Sequence, residues 1–167
     1  MPRSGMNEIK KNNARQGSFD IRDRLAFRIA TLASTISLWA GRTYHSKCGI
    51  TMTEWRVLVM LATLGPLAAR QICETAKMDK GNVSRAVKKL LDDGRISEQP
   101  DPDDLRASIL RITPKGRVLY RKAKKYSDER EARLDKILGP EDRKLFEALS
   151  DRLQAEGERM LKDLENE

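Results

Sequence analysis

Between Leu67 and Ile112 the hydrophobic pattern changes its period, and this segment constrains the fold more than any other part of the sequence. A short apolar stretch over Leu67–Thr75 predicts a short helix, and a tight connection follows it. The next stretch, Asp79–Asp93, begins with a good N-cap and ends just before Gly94, which suits the end of a helix. Its apolar residues recur at helical spacing: Val83, Ala86, Val87, Leu90 and Leu91. The pattern therefore predicts two helices joined by a tight turn.

After Gly94 the pattern becomes that of β-strands. Residues 95–99 and 107–112 have the composition of two short strands. The segment Pro100–Asp104 between them contains two prolines, which cannot donate to a ladder, so it is predicted to be a turn. Helix, turn, helix and hairpin in this order are typical of a winged helix-turn-helix. We therefore predict a mainly α fold with a small two- or three-stranded β wing.

A helical pattern also precedes this segment. Apolar residues in the region 19–48 recur every three or four positions and form one stripe: Ile21, Leu25, Ile29, Leu32, Ile36 and Trp39. Thr51-Met52-Thr53-Glu54 has the spacing of a capping box, and Gly65-Pro66 ends the helix that it begins. Residues 1–18 carry few apolar side chains and are predicted to form a disordered basic arm, which is either a loose terminus or a nonspecific DNA contact.

Two further helices are predicted after the wing. Thr113 can cap the first, and Pro114 suits its first position. This long helix is expected to run to about Leu138, where Gly139-Pro140 breaks it. The last helix carries another apolar stripe: Leu145, Leu149, Leu153, Met160 and Leu164.

Composition limits the functions that remain. The chain has 167 residues with 33 Lys and Arg against 25 Asp and Glu, a net charge of +8, which favours a polyanionic partner such as nucleic acid. Its longest apolar run, Val57–Ala62, is far too short to span a membrane, and no secretory signal is visible, so we expect a cytoplasmic protein. Two cysteines and one histidine leave no metal site or cofactor, and no enzyme motif is present.

The polar face of the predicted helix Asp79–Asp93 suits DNA. An α-helix fits the major groove, where Asn and Arg make bidentate contacts with adenine and guanine edges. Gly81 would let a phosphate approach the backbone near the helix start. Alone, such a face could be an ordinary solvated surface, but the wing and the basic charge favour a DNA contact. The candidate contacts are Lys80, Asn82, Ser84, Arg85, Lys88 and Lys89.

These motifs resemble the multiple-antibiotic-resistance regulator (MarR) family of winged-helix repressors. Asp101–Arg106 is similar to the Asp-x-Arg wing of that family, and Leu110 with Ile112–Gly116 is similar to its Leu-Thr-x-x-Gly continuation. Lys77 departs from the glycine that many members have in the turn, and Ile112 replaces the usual leucine. The helix-turn-helix positions are also similar: Ile72, Met78, Val83, Ser84, Val87, Leu90, Gly94 and Ile96.

The resemblance implies a homodimer on a near-palindromic DNA site. It implies that Arg106 enters the minor groove and that Asp104 positions it, although Asp104 could be only a turn former. The apolar stripes outside the winged helix would be wet in a monomer, which agrees with dimerisation. The implied domains are a disordered arm (1–18), an N-terminal dimerisation helix (19–48), a DNA-binding lobe (49–116) and C-terminal helices that complete the dimerisation region (117–167).

Many relatives bind small aromatic acids, so the resemblance also implies a repressor that a small aromatic ligand releases from DNA. Rings beside guanidinium groups would suit such a ligand, although the helical spacing of Trp39 and Trp55 favours the core and the arginines could be ordinary surface residues. The candidates are Trp39, Arg42, Tyr44, His45, Trp55 and Arg56.

Two alternatives remain open. One is a redox-sensing regulator, for which Cys48 at a basic helix end is the candidate thiol, whereas Cys73 is expected to be buried. The other is a helical nucleic-acid or protein-binding module without any ligand response.

Overall fold

The structure, a computed structural model, describes residues 19–101 and 108–166. After a short 3-10 helix at Ile21–Asp23 come helices α1 and α2, strand β1, helices α3 and α4, strands β2 and β3, and helix α5. Their bounds are α1 Leu25–Cys48, α2 Met52–Thr63, β1 Leu67–Ala68, α3 Ala69–Ala76, α4 Lys80–Asp92, β2 Ile96–Pro100, β3 Ser108–Ile112 and α5 Pro114–Glu165. This confirms the prediction of a mainly helical winged helix-turn-helix.

The chain divides into two compact units, Met1–Trp39 and Ala40–Glu167, so that the boundary falls within α1. In the described part of the first unit, residues 19–39, no side chain is fully buried. The second unit contains the core, and within it α2 packs against α4 and α5. None of the described helices has the length and hydropathy that a membrane span requires.

The predicted helix starts are confirmed by their caps. Thr51, Asp79 and Thr113 each accept a hydrogen bond on a side-chain oxygen from the backbone N–H three residues later, at 3.1, 2.9 and 3.1 Å. Each cap satisfies one of the N–H groups that a first helical turn leaves without a partner. These local bonds set where α2, α4 and α5 begin.

Two predicted boundaries were wrong. Leu67 and Ala68 do not begin a helix: they form β1, which pairs antiparallel with β3 in the register Leu67 with Leu110. Their partner is distant in sequence, so local periodicity could not show the pairing. At the N-terminus, Asp20 caps the short 3-10 helix rather than a long α-helix, and Arg24 has an extended backbone between the two helices.

The small sheet has the order β1-β3-β2, with all pairs antiparallel. Its base is held against α5 by a close approach of two backbones. A Cβ placed on Gly116, in the first turn of α5, would collide with the carbonyl oxygen of Arg95. Only glycine therefore fits here, and this contact joins the wing to the start of α5.

Glycine also ends the regular part of α5. Gly139 has φ 70° and ψ 172°, and Pro140 follows it, so the helix direction changes there as predicted. Residues 140–165 form a second helical segment, which we call segment 140–165. In the turn between α3 and α4, Lys77 adopts the left-handed conformation with φ 49° and ψ 49°. This is the backbone geometry for which glycine is the ordinary choice.

Candidate nucleic-acid interface

Helix α4 presents one apolar and one polar face. Its apolar face is buried in the second unit and consists of Val83, Ala86, Val87 and Leu90. All six predicted contact residues are exposed on the rest of its surface: Lys80, Asn82, Ser84, Arg85, Lys88 and Lys89. The structure therefore brings these six side chains together on one accessible surface, which we call the α4 polar face.

Two contacts organise the α4 polar face. Nη2 of Arg85 donates a hydrogen bond to Oδ1 of Asn82 at 2.5 Å, so the two candidate base readers are paired with each other. Nζ of Lys89 donates to Oδ1 of Asp93 at 2.7 Å. This hydrogen bond, reinforced by the charges of Arg95 and Lys115, holds the pKa of Asp93 below its ordinary value. Part of the positive charge at the end of α4 is therefore already compensated.

A cavity of about 280 Å³ lies between the start of α2 and the first turns of α4. Six residues line it: Thr51, Thr53, Glu54, Asn82, Arg85 and Ala86. Glu54 is only 7% exposed, and it is the one charged residue among the buried positions that the structure describes. Two of the candidate contact residues thus share a cavity with Glu54.

The capping box predicted at the start of α2 is only half formed. The N–H of Glu54 donates to Oγ1 of Thr51, but within the described residues the Glu54 carboxylate makes no hydrogen bond back to the backbone of Thr51. Sequence reasoning assigned this carboxylate to the cap and did not place it in a cavity that Arg85 also lines. No local signal could have placed it there, because Arg85 lies far away in the sequence.

The wing is described at its base but not at its tip. Strands β2 and β3 pair from Ile96 with Ile112 to Pro100 with Ser108. Asp104 and Arg106, the predicted minor-groove contacts, lie outside the described residues.

Sequence reasoning did not single out three basic side chains near the base of the wing. Arg111 is exposed on β3, Arg95 forms an ion pair with Asp93 at 3.3 Å, and Lys115 donates to the carbonyl oxygen of Asp93 at 2.7 Å. The sequence offered no reason to select these three residues, because each of them also fits an ordinary structural role in a strand or near a helix end.

The residues proposed for a ligand pocket differ in their exposure. Tyr44 and Trp55 are buried, with ring centroids 5.0 Å apart, and Trp55 stacks on Tyr120 at 5.8 Å. Both rings therefore belong to the core, which is the alternative that the sequence left open for them. Among the polar candidates, Arg42, His45 and Arg56 are all exposed. Trp39, which is half-buried, belongs to the first unit.

The two cysteines were assigned the wrong way round. Cys48 is buried because it follows Ala40 and Tyr44 along the side of α1 that faces the core, and burial raises the pKa of its thiol. The charge of Lys122 opposes this effect only in part. Cys73, which was expected to be buried, is half-buried. A raised pKa and low exposure both disfavour a reactive thiolate at Cys48.

Both flanking regions expose large apolar side chains. In the first unit these are Phe19, Ile21, Leu25, Phe27, Ile29, Leu32 and Leu38. At the end of the second unit they are Ile137, Leu145, Phe146, Leu149, Leu153, Met160, Leu161 and Leu164. Apolar surface on this scale is the usual sign of an interface with another molecule.

Comparison with known proteins identifies relatives of the winged helix. A model of the MarR family matches residues 49–107. The multiple antibiotic resistance protein MarR of Salmonella typhimurium is 29% identical over 76 residues, which cover 46% of this chain and 53% of that protein. The chain thus spans about half the length of this relative.

Similarity to solved structures extends further. A MarR/EmrR family transcriptional regulator from Acinetobacter sp. ADP1 matches 84% of this chain and 99% of its own, with 28% identity and a TM-score of 0.78. The PcaV transcriptional regulator from Streptomyces coelicolor, solved in complex with its natural ligand, matches 83% of this chain and 96% of its own, with 20% identity and a TM-score of 0.70. At that identity the second likeness concerns the fold alone.

Proposed function

We propose that this chain is a member of the MarR family of winged-helix transcriptional regulators, and that it is a homodimer which binds a specific, near-palindromic site in double-stranded DNA. The observation that carries the proposal is the two-sidedness of α4. Its apolar residues are buried against the rest of the second unit, whereas its polar residues are exposed on one surface: Lys80, Asn82, Ser84, Arg85, Lys88 and Lys89. A regulator of this kind acts where the chromosome is, in the bacterial cytoplasm.

Some residues of the α4 polar face suit the DNA phosphates, and others suit the edges of the bases. Lysine ammonium groups bind phosphates without reading sequence, which suits Lys80, Lys88 and Lys89. Asn82 and Arg85 carry the amide and guanidinium groups that match adenine and guanine edges. Ser84 can donate to or accept from either. In this arrangement the lysines set the affinity and the pair of Asn82 and Arg85 sets the sequence preference.

The wing supplies a second contact in the proposal. Arg106 enters the minor groove beside the site read by α4, where narrow sequences concentrate negative potential. Asp104 holds the guanidinium in place. This part rests on the resemblance of the sequence motif, and Arg106→Ala tests it, since loss of the contact should weaken binding to A·T-rich flanks more than to other flanks.

The exposed apolar side chains of residues 19–39 and of segment 140–165 support dimerisation. A twofold dimer would cover such surfaces and place two α4 helices about one DNA turn apart. Light scattering at micromolar concentration should give twice the mass of the chain. A stable monomer would contradict the proposal.

We further propose that the protein is a repressor released from DNA by a small aromatic acid. Support comes from the family and from the natural ligand bound by the Streptomyces coelicolor relative. The exposed Arg42, His45 and Arg56 could attract a carboxylate. Titration of benzoate and hydroxybenzoates into the protein–operator complex should lower DNA affinity. If affinity stays constant for all of them, this part of the proposal fails.

The central experiment is selection of bound duplexes from a random pool. The full chain should enrich an inverted repeat with half-sites about one helical turn apart. An enriched sequence lets every later measurement compare specific with random DNA. Recovery of no common sequence would contradict the proposed function, and enrichment of single-stranded RNA from a parallel pool would favour the alternative of a general nucleic-acid binding module.

A further inference from the structure

We propose that Glu54 is a positioning residue for Arg85, so that a carboxylate beneath the α4 polar face sets which base pair the guanidinium reads. The inference rests on the proposed function, because it concerns how the protein reads DNA. It assigns to the first turn of α2 a part in sequence preference, although α2 itself lies behind the reading helix.

The first observation is the state of Glu54. Its side chain is 7% exposed, and within the described part of the chain its carboxylate takes part in no hydrogen bond or ion pair. Its carboxylate oxygens are not among the fully buried atoms that lack a partner, so they face the cavity that Glu54 lines. A carboxylate held in a largely buried residue beside an open cavity is placed to accept a guanidinium partner there.

The second observation is the position of Arg85. It lines the same cavity as Glu54, and its guanidinium lies back along the start of α4. A Cβ at Gly81 would come within 3.5 Å of Nη1 of Arg85. The only hydrogen bond of this guanidinium in the described structure goes to Oδ1 of Asn82. Most of its N–H donors thus remain available, and the carboxylate of Glu54 lines the same cavity.

DNA binding would exchange these partners. An adenine edge requires both the oxygen and the nitrogen of the Asn82 amide, so the bond between Asn82 and Arg85 must break. The planar guanidinium has two edges that can each bind in a bidentate manner. One edge can then face Glu54 through the cavity while the other meets O6 and N7 of guanine. A guanidinium held from behind has fewer orientations, and base discrimination rises with that restriction.

The experiment is a double-mutant cycle on the selected operator. Dissociation constants are measured by fluorescence anisotropy for the wild type, Glu54→Gln, Arg85→Ala and the double variant. Each protein is tested against the operator, against duplexes with single base-pair changes, and against random duplex. Glu54→Gln should lower discrimination about tenfold at the base pair that Arg85→Ala also affects, in the range of one bidentate contact. In the Arg85→Ala background, the same change should have no further effect.

Glu98→Gln is the matched control. It removes the same charge from an exposed position on β2, away from the cavity, and should leave discrimination unchanged. Random-duplex affinity reports general electrostatics: it should not fall in Glu54→Gln, because a negative charge has been removed. Thermal melting of every variant shows whether the fold is kept. If Glu54→Gln unfolds, Glu54→Asp replaces it and should retain the charge yet lose discrimination at the same base pair.

Several results would overturn the inference. Equal weakening on all duplexes would mean a structural role, and additive effects in the double variant would mean that Glu54 acts independently of Arg85. Normal discrimination by a folded Glu54→Gln variant would have the same consequence. These outcomes are distinct from failure of the proposed function, in which the wild type itself would show no preference for any duplex.

Discussion

Helix α4 and segment 140–165 both carry apolar stripes, yet their environments are opposite. In α4 the stripe is buried, and Val83 and Leu90 are almost completely inaccessible. In segment 140–165, Leu145, Leu153 and Leu164 are exposed by 57%, 44% and 68%. The first stripe finds its partner, α2, within the chain. The second has no such partner among the described residues, which is why we propose that another molecule covers it.

The largest expected effect follows from removing the intermolecular partner. Leu149→Glu places a charge on the exposed stripe and should convert the dimer to monomer. Because a dimer binds two half-sites together, operator affinity should fall by about 10²-fold or more. Sedimentation and anisotropy would measure both changes. Arg152→Glu, an exposed position of the same segment, is the control and should remain dimeric. A dimeric Leu149→Glu protein with normal affinity would mean that this stripe is not the interface.

The next prediction compares two glycines of α5. Gly116→Ala should destabilise the protein by about 3 kcal/mol, the upper range for overpacking, because the new methyl group meets the carbonyl of Arg95. Gly157→Ala meets nothing within 4 Å and should stabilise by about 0.5–1 kcal/mol through a more rigid unfolded chain. Urea denaturation measures both. A destabilising Gly157→Ala in the dimer would show that the partner packs closely at this point.

Substitutions of two residues of the α4 polar face should affect DNA binding in different ways. Arg85→Ala should cost roughly 1–3 kcal/mol on the operator and relax preference at one base pair, whereas Lys88→Ala should weaken binding to all sequences alike and reduce the salt slope by about 1. Titrations of operator and random duplex at several salt concentrations separate the two. Identical profiles for both variants would remove the distinction between base reading and phosphate binding.

The smallest effect concerns Asp93 and pH. Its folded pKa is lowered, chiefly by the hydrogen bond from Lys89, so its contribution to stability is present above the unfolded value near 3.8 and is lost as pH falls below it. Asp93→Asn should therefore lower the urea midpoint at pH 7 slightly and flatten its decline between neutral pH and strong acid. Asp92→Asn, an exposed neighbour without a described hydrogen bond, is the control. If the urea midpoint of Asp93→Asn declined with acid as steeply as that of the wild type, Asp93 would not contribute to stability in this way.

Local chemistry explains which parts of the fold were predictable. Thr51, Asp79 and Thr113 cap helices because their side-chain oxygens reach a backbone N–H three residues later, and such bonds need no distant partner. Gly139 ends the regular part of α5 for an equally local reason, its positive φ. The exposure of Lys80, Asn82, Ser84 and Arg85 followed from the position of the apolar stripe on α4.

Other features depended on contacts between distant residues. Pairing with Leu110 made Leu67 part of a strand, and packing of one side of α1 on the core buried Cys48 and Tyr44. No spacing in the sequence distinguishes a core tyrosine from one that lines a pocket. The cavity that Glu54 shares with Arg85 could not be predicted either, because it forms between two helices that are distant in the sequence.

The sequence by itself therefore determined the order of the elements, the sites where helices begin and end, and the basic face of α4. Hydrogen bonds within one helical turn and the period of apolar residues are sufficient for these features. Only the tertiary structure decided that β1 joins the wing, that Gly116 admits no side chain and that Glu54 shares a cavity with Arg85. These features depend on which residues, distant in the sequence, come into contact in the fold. The burial of a residue is set by those contacts and cannot be predicted from the residue alone.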